Sequence, residues 1–167
     1  MKNTTTLLVI NCDTPDSLIY EHAEAARASD IHLQCLMLGS APALPLYAYG
    51  TPPYGGMNIP YNWGETLNAV RKGLTTRETE IEAVIARSGA SAQIYSLLCA
   101  TIDIKNIVAL HARVCDVAHI APNLRENLGV MREAAHGVLF KSPIGLILNG
   151  VPAKPISRIF IAWNSSE

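Results

Sequence analysis

Short apolar runs alternate with longer amphipathic runs along most of this chain, and that alternation constrains the fold more than any other feature of the sequence. The apolar runs predict strands over residues 7–12, 31–38, 92–99, 117–120 and 145–148. In the segments between them, apolar side chains recur every three or four residues, as they do on the buried face of a helix. Strands that alternate with helices form parallel sheets covered by crossover helices. The sequence therefore predicts an α/β fold built on a doubly wound, five-stranded parallel sheet.

Four helices are expected between these strands. The first begins at the turn Asp13-Thr14-Pro15-Asp16, because proline is tolerated in the first turn of a helix, and it ends near Asp30. The second is a long amphipathic helix over residues 63–87. The buried faces of the last two helices are predicted to consist of Ile104, Ile107, Val108, His111 and Cys115, and of Leu124, Leu128, Met131, Ala135 and Val138.

The charge balance and the distribution of apolar residues limit the classes of function. Thirteen Lys and Arg oppose fourteen Asp and Glu, so the chain lacks the basic footprint that binds a nucleic-acid backbone, and no nucleic-acid partner is expected. No apolar stretch approaches the roughly 18–20 residues of a spanning helix, so no membrane segment is expected. The first residues lead directly into strand 1 without a signal-peptide pattern, which predicts a cytoplasmic protein.

Two segments fall outside the alternating pattern. Residues 41–62 hold five of the ten prolines and four of the six tyrosines, which predicts a structured loop whose role as lid, partner surface or local packing stays open. Residues 152–155 have the composition of a linker, and residues 158–167 resemble the first strand again, with Asp13 falling on Asn164. We therefore divide the chain into a domain over residues 1–151 and a linker with an extra strand over residues 152–167.

Four segments together resemble the universal stress protein family, and specifically the first half of its tandem, two-domain bacterial members. They are the strand that ends at Asp13 and leads directly into a helix, residues 112–117 before strand 4, residues 137–143 before strand 5, and residues 158–167. In the last of these, Asn164-Ser165-Ser166-Glu167 stands where the family has Asp-Gly-Ser-Glu. The resemblance covers essentially the whole chain and leaves open whether the chain is a piece of a longer tandem protein.

The resemblance implies a strand order of 3-2-1-4-5 with two helices on each face, and hence a ligand cleft where the connections from strands 1 and 4 diverge. Around that cleft it implies these candidate cofactor-binding residues: Asp13, Thr14, Gly39, Ser40, Asn123, Arg125 and Ser142. Asp13 matches the acidic residue on the adenosine side in nucleotide-binding members, although a cap on the next helix through the N–H of Asp16 or Ser17 is an equal alternative. Asn123 is expected to cap a helix that receives an anion beside Arg125.

The phosphate-binding glycines of the family's nucleotide binders are missing from this sequence. Those members carry a Gly, a second Gly three residues on, and Gly-Ser or Gly-Thr about ten residues further, and these glycines let backbone N–H groups approach a triphosphate. Counted from Ala121, the equivalent positions hold Ala121, Leu124 and Ala134-Ala135, and only Ser142 retains a hydroxyl. The comparison implies a degenerate site that binds ATP or AMP weakly at most.

No catalytic constellation is visible in the sequence. His111 and Cys115, four residues apart on a helix, would be half of a metal site without a partner pair, and a core role is favoured. His119, in the short fourth strand, is expected to be a core histidine. No Ser/His/Asp or Cys/His set can be assembled, and the four cysteines lack CxxC spacing, so neither an enzyme nor a metal site is predicted.

The leading hypothesis is a non-enzymatic stress-response protein of the universal stress type, with a degenerate nucleotide cleft and action through dimerisation. A strand over residues 159–163 needs a partner, so we expect a homodimer that pairs strand 5 and the C-terminal strand across two chains, with a further protein partner left open. The alternatives are an ATP- or AMP-binding switch with slow or no hydrolysis, and a small flavodoxin-like or nucleotide-dependent enzyme.

Overall fold

The computed structural model describes residues 4–42 and 61–148 of the chain. The predicted linker and extra strand over residues 152–167, and most of the predicted loop over residues 41–62, lie outside the described residues. The division of the chain into a domain and a tail therefore stays a prediction.

The described residues form a single parallel sheet with helices between its strands. The strand order is β3-β2-β1-β4-β5, and every neighbouring pair is parallel. The predicted fold class and the implied strand order are both confirmed. In chain order the elements are β1 (Thr5–Ile10), α1 (Asp16–Ala28), β2 (His32–Ser40), α2 (Trp63–Ser88), β3 (Ala92–Cys99), α3 (Ile104–Ala112), β4 (Val117–Ile120), α4 (Leu128–Lys141) and β5 (Gly145–Leu148), with short 3₁₀ turns at Thr101–Asp103 and Pro122–Glu126.

The helices pack in two pairs, α1 with α2 and α3 with α4. The chain leaves β1 towards β2 and β3, whereas it leaves β4 towards β5, so the two sets of connections run in opposite directions across the sheet. Their divergence creates a topological switch point between β1 and β4, at the carboxyl ends of those strands. In open α/β sheets this is where a ligand crevice forms.

The central strand accounts for most of the core. Four consecutive side chains of β1, Leu7 to Ile10, are completely buried, because helices cover both faces of the sheet at this position. Burial of each such side chain stabilises the fold by about 1.5–3 kcal/mol relative to exposure. None of the helices among the described residues is long and apolar enough to cross a membrane.

Element boundaries differ from the predictions in several places; strand β2, for example, covers residues 32–40 rather than 31–38. Strand β1 covers residues 5–10 rather than 7–12, because the turn that leads to α1 already begins at Asn11, where the Thr14 N–H donates to the Asn11 carbonyl at 3.2 Å. Helix α3 ends at Ala112, so Cys115 follows the helix instead of lying on its face.

The predicted buried face of α4 is wrong in part. Asn127 caps this helix by accepting a hydrogen bond from the Val130 N–H at 3.2 Å, so the helix begins at Leu128 and Leu124 belongs to the preceding 3₁₀ turn. Leu128 is consequently 75% exposed. The side chains that α4 buries are those of Val130, Ala134, Gly137 and Val138.

Candidate functional site

The turn after β1 forms one wall of the switch-point cleft. The Asn11 side-chain oxygen, Oδ1, accepts a hydrogen bond from the Asp13 N–H at 3.1 Å, and the Asn11 N–H donates to the Thr14 hydroxyl at 3.0 Å. The Thr14 side chain therefore folds back over the end of the strand, and the residue is only 1% exposed. Hydrogen bonds within the turn thus hold its polar side chains in place without any contribution from the other wall.

Asn123, which follows β4, joins the opposite wall to this turn. Its Nδ2 donates to Asn11 Oδ1 at 2.8 Å, and its Oδ1 lies 3.2 Å from the Thr14 hydroxyl. The Thr14 hydroxyl also lies 3.0 Å from Asn11 Oδ1, so its single proton is shared between the two amide oxygens. We call Asn11, Thr14 and Asn123 the amide bridge. The bridge spans the switch point, so the two walls of the cleft are hydrogen-bonded to each other.

Arg77 of α2 holds the same turn from outside the sheet. Its guanidinium donates to the Thr14 carbonyl at 2.8 Å, to Asp16 Oδ1 at 2.7 Å and to Glu80 Oε2 at 2.8 Å. The Arg77 side chain is only 17% exposed. Burial disfavours its charge, but the hydrogen bonds with Glu80 and Asp16 outweigh burial and raise the pKa of Arg77. The cation thus fixes the start of α1 against α2.

Asp13 lies at the mouth of the cleft with an exposed side chain. The alternative that it caps α1 is wrong: the N-cap residue is Pro15, and no side chain in the described part of the chain makes a cap hydrogen bond there. Proline at this position has an extended conformation before the helix, with φ −61° and ψ 141°.

The predicted capping role of Asn123 is also wrong. Asn123 lies in the 3₁₀ turn before α4, and its side chain is engaged in the amide bridge, whereas Asn127 makes the cap. Arg125 lies in the same 3₁₀ turn and is exposed. The structure therefore places Asp13 and Thr14 after β1, and Asn123 and Arg125 after β4, on the two sides of the switch point.

Gly39 and Ser40 end β2, the neighbour of β1, and so lie on the same edge of the sheet. A Cβ atom on Gly39 would collide with the Leu74 side chain of α2. The glycine therefore lets α2 approach the sheet closely, and packing alone explains why a residue without a side chain stands here. Ser40 is exposed and pairs with Cys99 of β3.

Ser142 is not part of this cleft. It precedes β5, at the amino end of that strand, which is the opposite edge of the sheet from the switch point. Its hydroxyl donates to the Val138 carbonyl at 2.6 Å in the last turn of α4. The position of Ser142 in the sequence, after the missing glycines, suggested that it shares their site. Helix α4, however, carries the chain from the carboxyl ends of the strands to their amino ends before Ser142 is reached.

The residues considered as half of a metal site have other contacts. The His111 ring lies 2.8 Å from Gln34 Nε2 through its Nδ1 and packs against Tyr95, and the Cys115 thiol donates to the His111 carbonyl at 3.3 Å. Within residues 4–42 and 61–148, no group of three or more His, Cys, Asp or Glu side chains could hold a metal ion.

Sequence reasoning missed Arg77 and the central role of Asn11. A signal for Arg77 was present, because it falls on the buried stripe of α2 between Leu74 and Ile81 at helical spacing. A cation on such a stripe needs a partner, since burial of an unpaired charge is costly. Glu80, three residues further along α2, is a local partner, whereas Asp16 and the Thr14 carbonyl, 61 and 63 residues away, are supplied only by the tertiary fold.

Comparison with known proteins agrees with this topology. No protein-family profile and no curated protein sequence matches the chain. The universal stress protein UspA from Lactobacillus plantarum superposes with a TM-score of 0.59 at 15% identity, covering 89% of this chain and 99% of its own. The universal stress protein from Archaeoglobus fulgidus superposes with a TM-score of 0.51 at 16% identity, covering 86% of this chain and 97% of its own.

A universal stress protein in complex with cAMP is also similar, with a TM-score of 0.47 at 14% identity, covering 88% of this chain and 97% of its own. That similarity is too low to bear on the ligand of this chain. The matches at TM-scores of 0.51 and 0.59 establish that the chain has the fold of the universal stress proteins.

Proposed function

We propose that this chain is a stress-response protein of the universal stress type that acts without catalysis, through dimerisation, and whose nucleotide cleft is degenerate. The observation that carries the proposal is the amide bridge. Its side chains span the switch point, where a nucleotide would have to enter between the two walls. A ligand at this position would have to break hydrogen bonds that the protein makes with itself.

The backbone after β4 also supports the proposal that the nucleotide cleft is degenerate. Ala121 and Leu124 occupy the first two glycine positions of nucleotide binders, and both side chains are buried in the core. The Leu124 N–H donates to the Ala121 carbonyl at 3.1 Å. This N–H is one that a phosphate would need, and it already has a partner inside the turn.

Dimerisation is supported by the outer edge of β5. This four-residue strand pairs only with β4 among the described elements, and Leu146 and Ile147 are only half-buried while Leu148 is exposed. An apolar edge strand is a template for pairing with another chain. The proposed interface combines β5 with the strand expected near residues 158–163, which lies outside the described residues.

A second candidate, a switch that binds ATP or AMP weakly, is favoured by one observation. The Asp13 carboxylate and the Arg125 side chain are both exposed on opposite walls of the cleft, where they would be available to the ribose and the phosphate of a nucleotide. In this candidate the amide bridge opens when the nucleotide enters.

The two candidates differ in what the protein retains on purification. We expect mass spectrometry of gently purified and then denatured protein to release no stoichiometric nucleotide. ATP or AMP at one equivalent per chain would overturn the degenerate-cleft proposal in favour of the switch.

Dimerisation has a separate test in sedimentation of the full chain and of a chain that ends at Lys154. We expect the full chain to be a dimer at micromolar concentration, and the shorter chain to dissociate more readily or to aggregate through β5. Monomeric behaviour of both chains would contradict the proposed interface.

A further inference from the structure

Two buried histidines face each other between α1 and β4, away from the cleft. His22 of α1 is 6% exposed and His119 of β4 is 8% exposed. Their ring centroids are 5.3 Å apart with the ring planes at 83°. Both rings border a cavity of about 140 Å³ near the amino edge of the sheet, which is also lined by Thr6 of β1, Ser29 at the end of α1 and Val117 of β4.

The two rings differ in hydrogen bonding. His22 Nδ1 lies 2.9 Å from the Leu18 carbonyl, and because a carbonyl can only accept, Nδ1 must carry the proton. His119 Nδ1 is fully buried and has no hydrogen-bond partner among the described residues. Only one of the two imidazoles is therefore held by a polar contact.

The surroundings provide no counter-ion for a charged ring. The cavity lining contains hydroxyls from β1 and from the end of α1, and apolar side chains from α1, β2 and β4, but no charged side chain. Burial lowers the pKa of His22 and outweighs both the hydrogen bond to the Leu18 carbonyl and the charge of Glu21, its neighbour in α1, which favour protonation. Burial, with a smaller contribution from His22, lowers the pKa of His119 to about 4.

We propose that the contact between His22 and His119 is an acid-sensitive switch that keeps α1 against β4 at neutral pH and releases it on acidification. Protonation of either ring places a charge in a cavity without a counter-ion, and a second proton would add repulsion between the rings. Separation of the two elements lets water surround both charged rings, which are only 6% and 8% exposed while the contact is closed.

Helix α1 is the element that moves. Strand β4 is hydrogen-bonded along both of its edges, to β1 and to β5, whereas α1 is attached to the sheet by side-chain packing. Its first residue, Asp16, and the preceding Thr14 carbonyl are the groups that Arg77 holds. Release of α1 would therefore also loosen the turn that forms one wall of the cleft.

Hydrogen exchange followed by mass spectrometry tests the switch on the full chain. Between pH 7 and pH 4.5 we expect the protection factors of residues 16–28 to fall at least tenfold more than those of residues 5–10. A double variant, His22→Phe with His119→Phe, keeps flat rings of similar size that cannot be protonated, and it should abolish this difference. His136→Gln, at an exposed position of α4, serves as the control and should retain it.

Equal pH dependence in the wild type and the double Phe variant would overturn the proposal, as would full protection of α1 in the wild type at pH 4.5. If the double variant does not fold, the wild-type imidazoles can be titrated by NMR. The switch predicts that the signals of His22 and His119 shift together with the α1 amides. Titration of either ring while the α1 amides stay unchanged would contradict it.

Discussion

The amide bridge and the histidine pair are two polar contacts at opposite ends of the sheet, and they are built in opposite ways. The bridge joins the turns after β1 and β4, and the pair joins α1 to β4. In the bridge, Asn11 Oδ1 accepts from three donors, and the neighbouring wall completes the set. In the pair, His119 Nδ1 has no partner within the described residues. One contact is satisfied by the protein alone, whereas the other depends on both rings staying neutral.

The difference lies in the chemistry of the side chains. Amides and hydroxyls keep the same charge across the physiological pH range, so the bridge stabilises the fold regardless of pH. Imidazole changes its charge near that range, so the free energy of the pair depends on pH. In our proposals, the satisfied contact closes the cleft, and the unsatisfied one makes the attachment of α1 depend on pH.

Breaking the bridge at its centre is expected to have the largest effect. Asn11→Ala removes the acceptor shared by the Asp13 N–H, the Thr14 hydroxyl and the Asn123 amide, and should lower the free energy of unfolding by about 3 kcal/mol. Urea unfolding measures this loss. Asn68→Ala, at an exposed position of α2, is the matched control and should change stability by less than about 0.5 kcal/mol. A loss of under about 1 kcal/mol for Asn11→Ala would show that the bridge is not a structural element.

The histidine pair should reveal itself in the pH dependence of stability. The folded-state pKa of His119, about 4, lies below its ordinary value of 6.5, so its contribution is fully present above pH 6.5 and is lost as the pH falls towards 4. Between pH 7 and pH 4.5 the wild type should lose about 2 kcal/mol more than His119→Phe. Urea unfolding of both proteins at the two pH values measures the difference. Parallel losses in the two proteins would remove His119 as the source.

Asn123→Ala is expected to have a smaller effect than Asn11→Ala. Asn123 is half-buried, so water can replace it on Asn11 and Thr14, and the loss of stability should be about 1 kcal/mol. Calorimetry of the same variant with AMP adds a second readout. Tighter binding than in the wild type would identify the bridge as the barrier to nucleotide, and unchanged binding would assign the barrier to the missing glycines.

Ser142→Ala should have the smallest effect, about 0.5 kcal/mol, because it removes one hydroxyl contact at the end of α4. The heat of titration with AMP should be the same as in the wild type, since Ser142 lies at the far edge of the sheet. An altered AMP titration would place this residue back in the cleft.

Much of the fold could be predicted from the sequence because its strands are marked by local signals. The bounds of β3 and β4 agree with the prediction to the residue, since each apolar run is flanked by polar residues or turns. The start of β1 was missed because Thr5 and Thr6 are polar, although β-branched residues favour strands. The buried face of α4 was predicted wrongly in part because the Asn127 cap sets where the helix begins, and a search for apolar spacing does not detect such a cap.

Only the location of the candidate site, which follows from the strand order, could be predicted from the sequence. Asp13, Thr14 and Asn123 follow the two strands that flank the switch point, so strand order alone brings them together. The hydrogen bonds between the two walls join residues 109 to 112 positions apart in the chain, and the tertiary fold sets their geometry. No local sequence pattern predicts these bonds. The contact between His22 and His119 has the same origin, since a helix and a distant strand supply one ring each.

The central claim is that the switch-point cleft is closed by its own side chains. Isothermal titration calorimetry of the full chain with ATP and Mg²⁺ tests this claim most directly. We predict no binding tighter than about 100 μM, which corresponds to about 5.5 kcal/mol. A dissociation constant in the low micromolar range, at one nucleotide per chain, would contradict the claim.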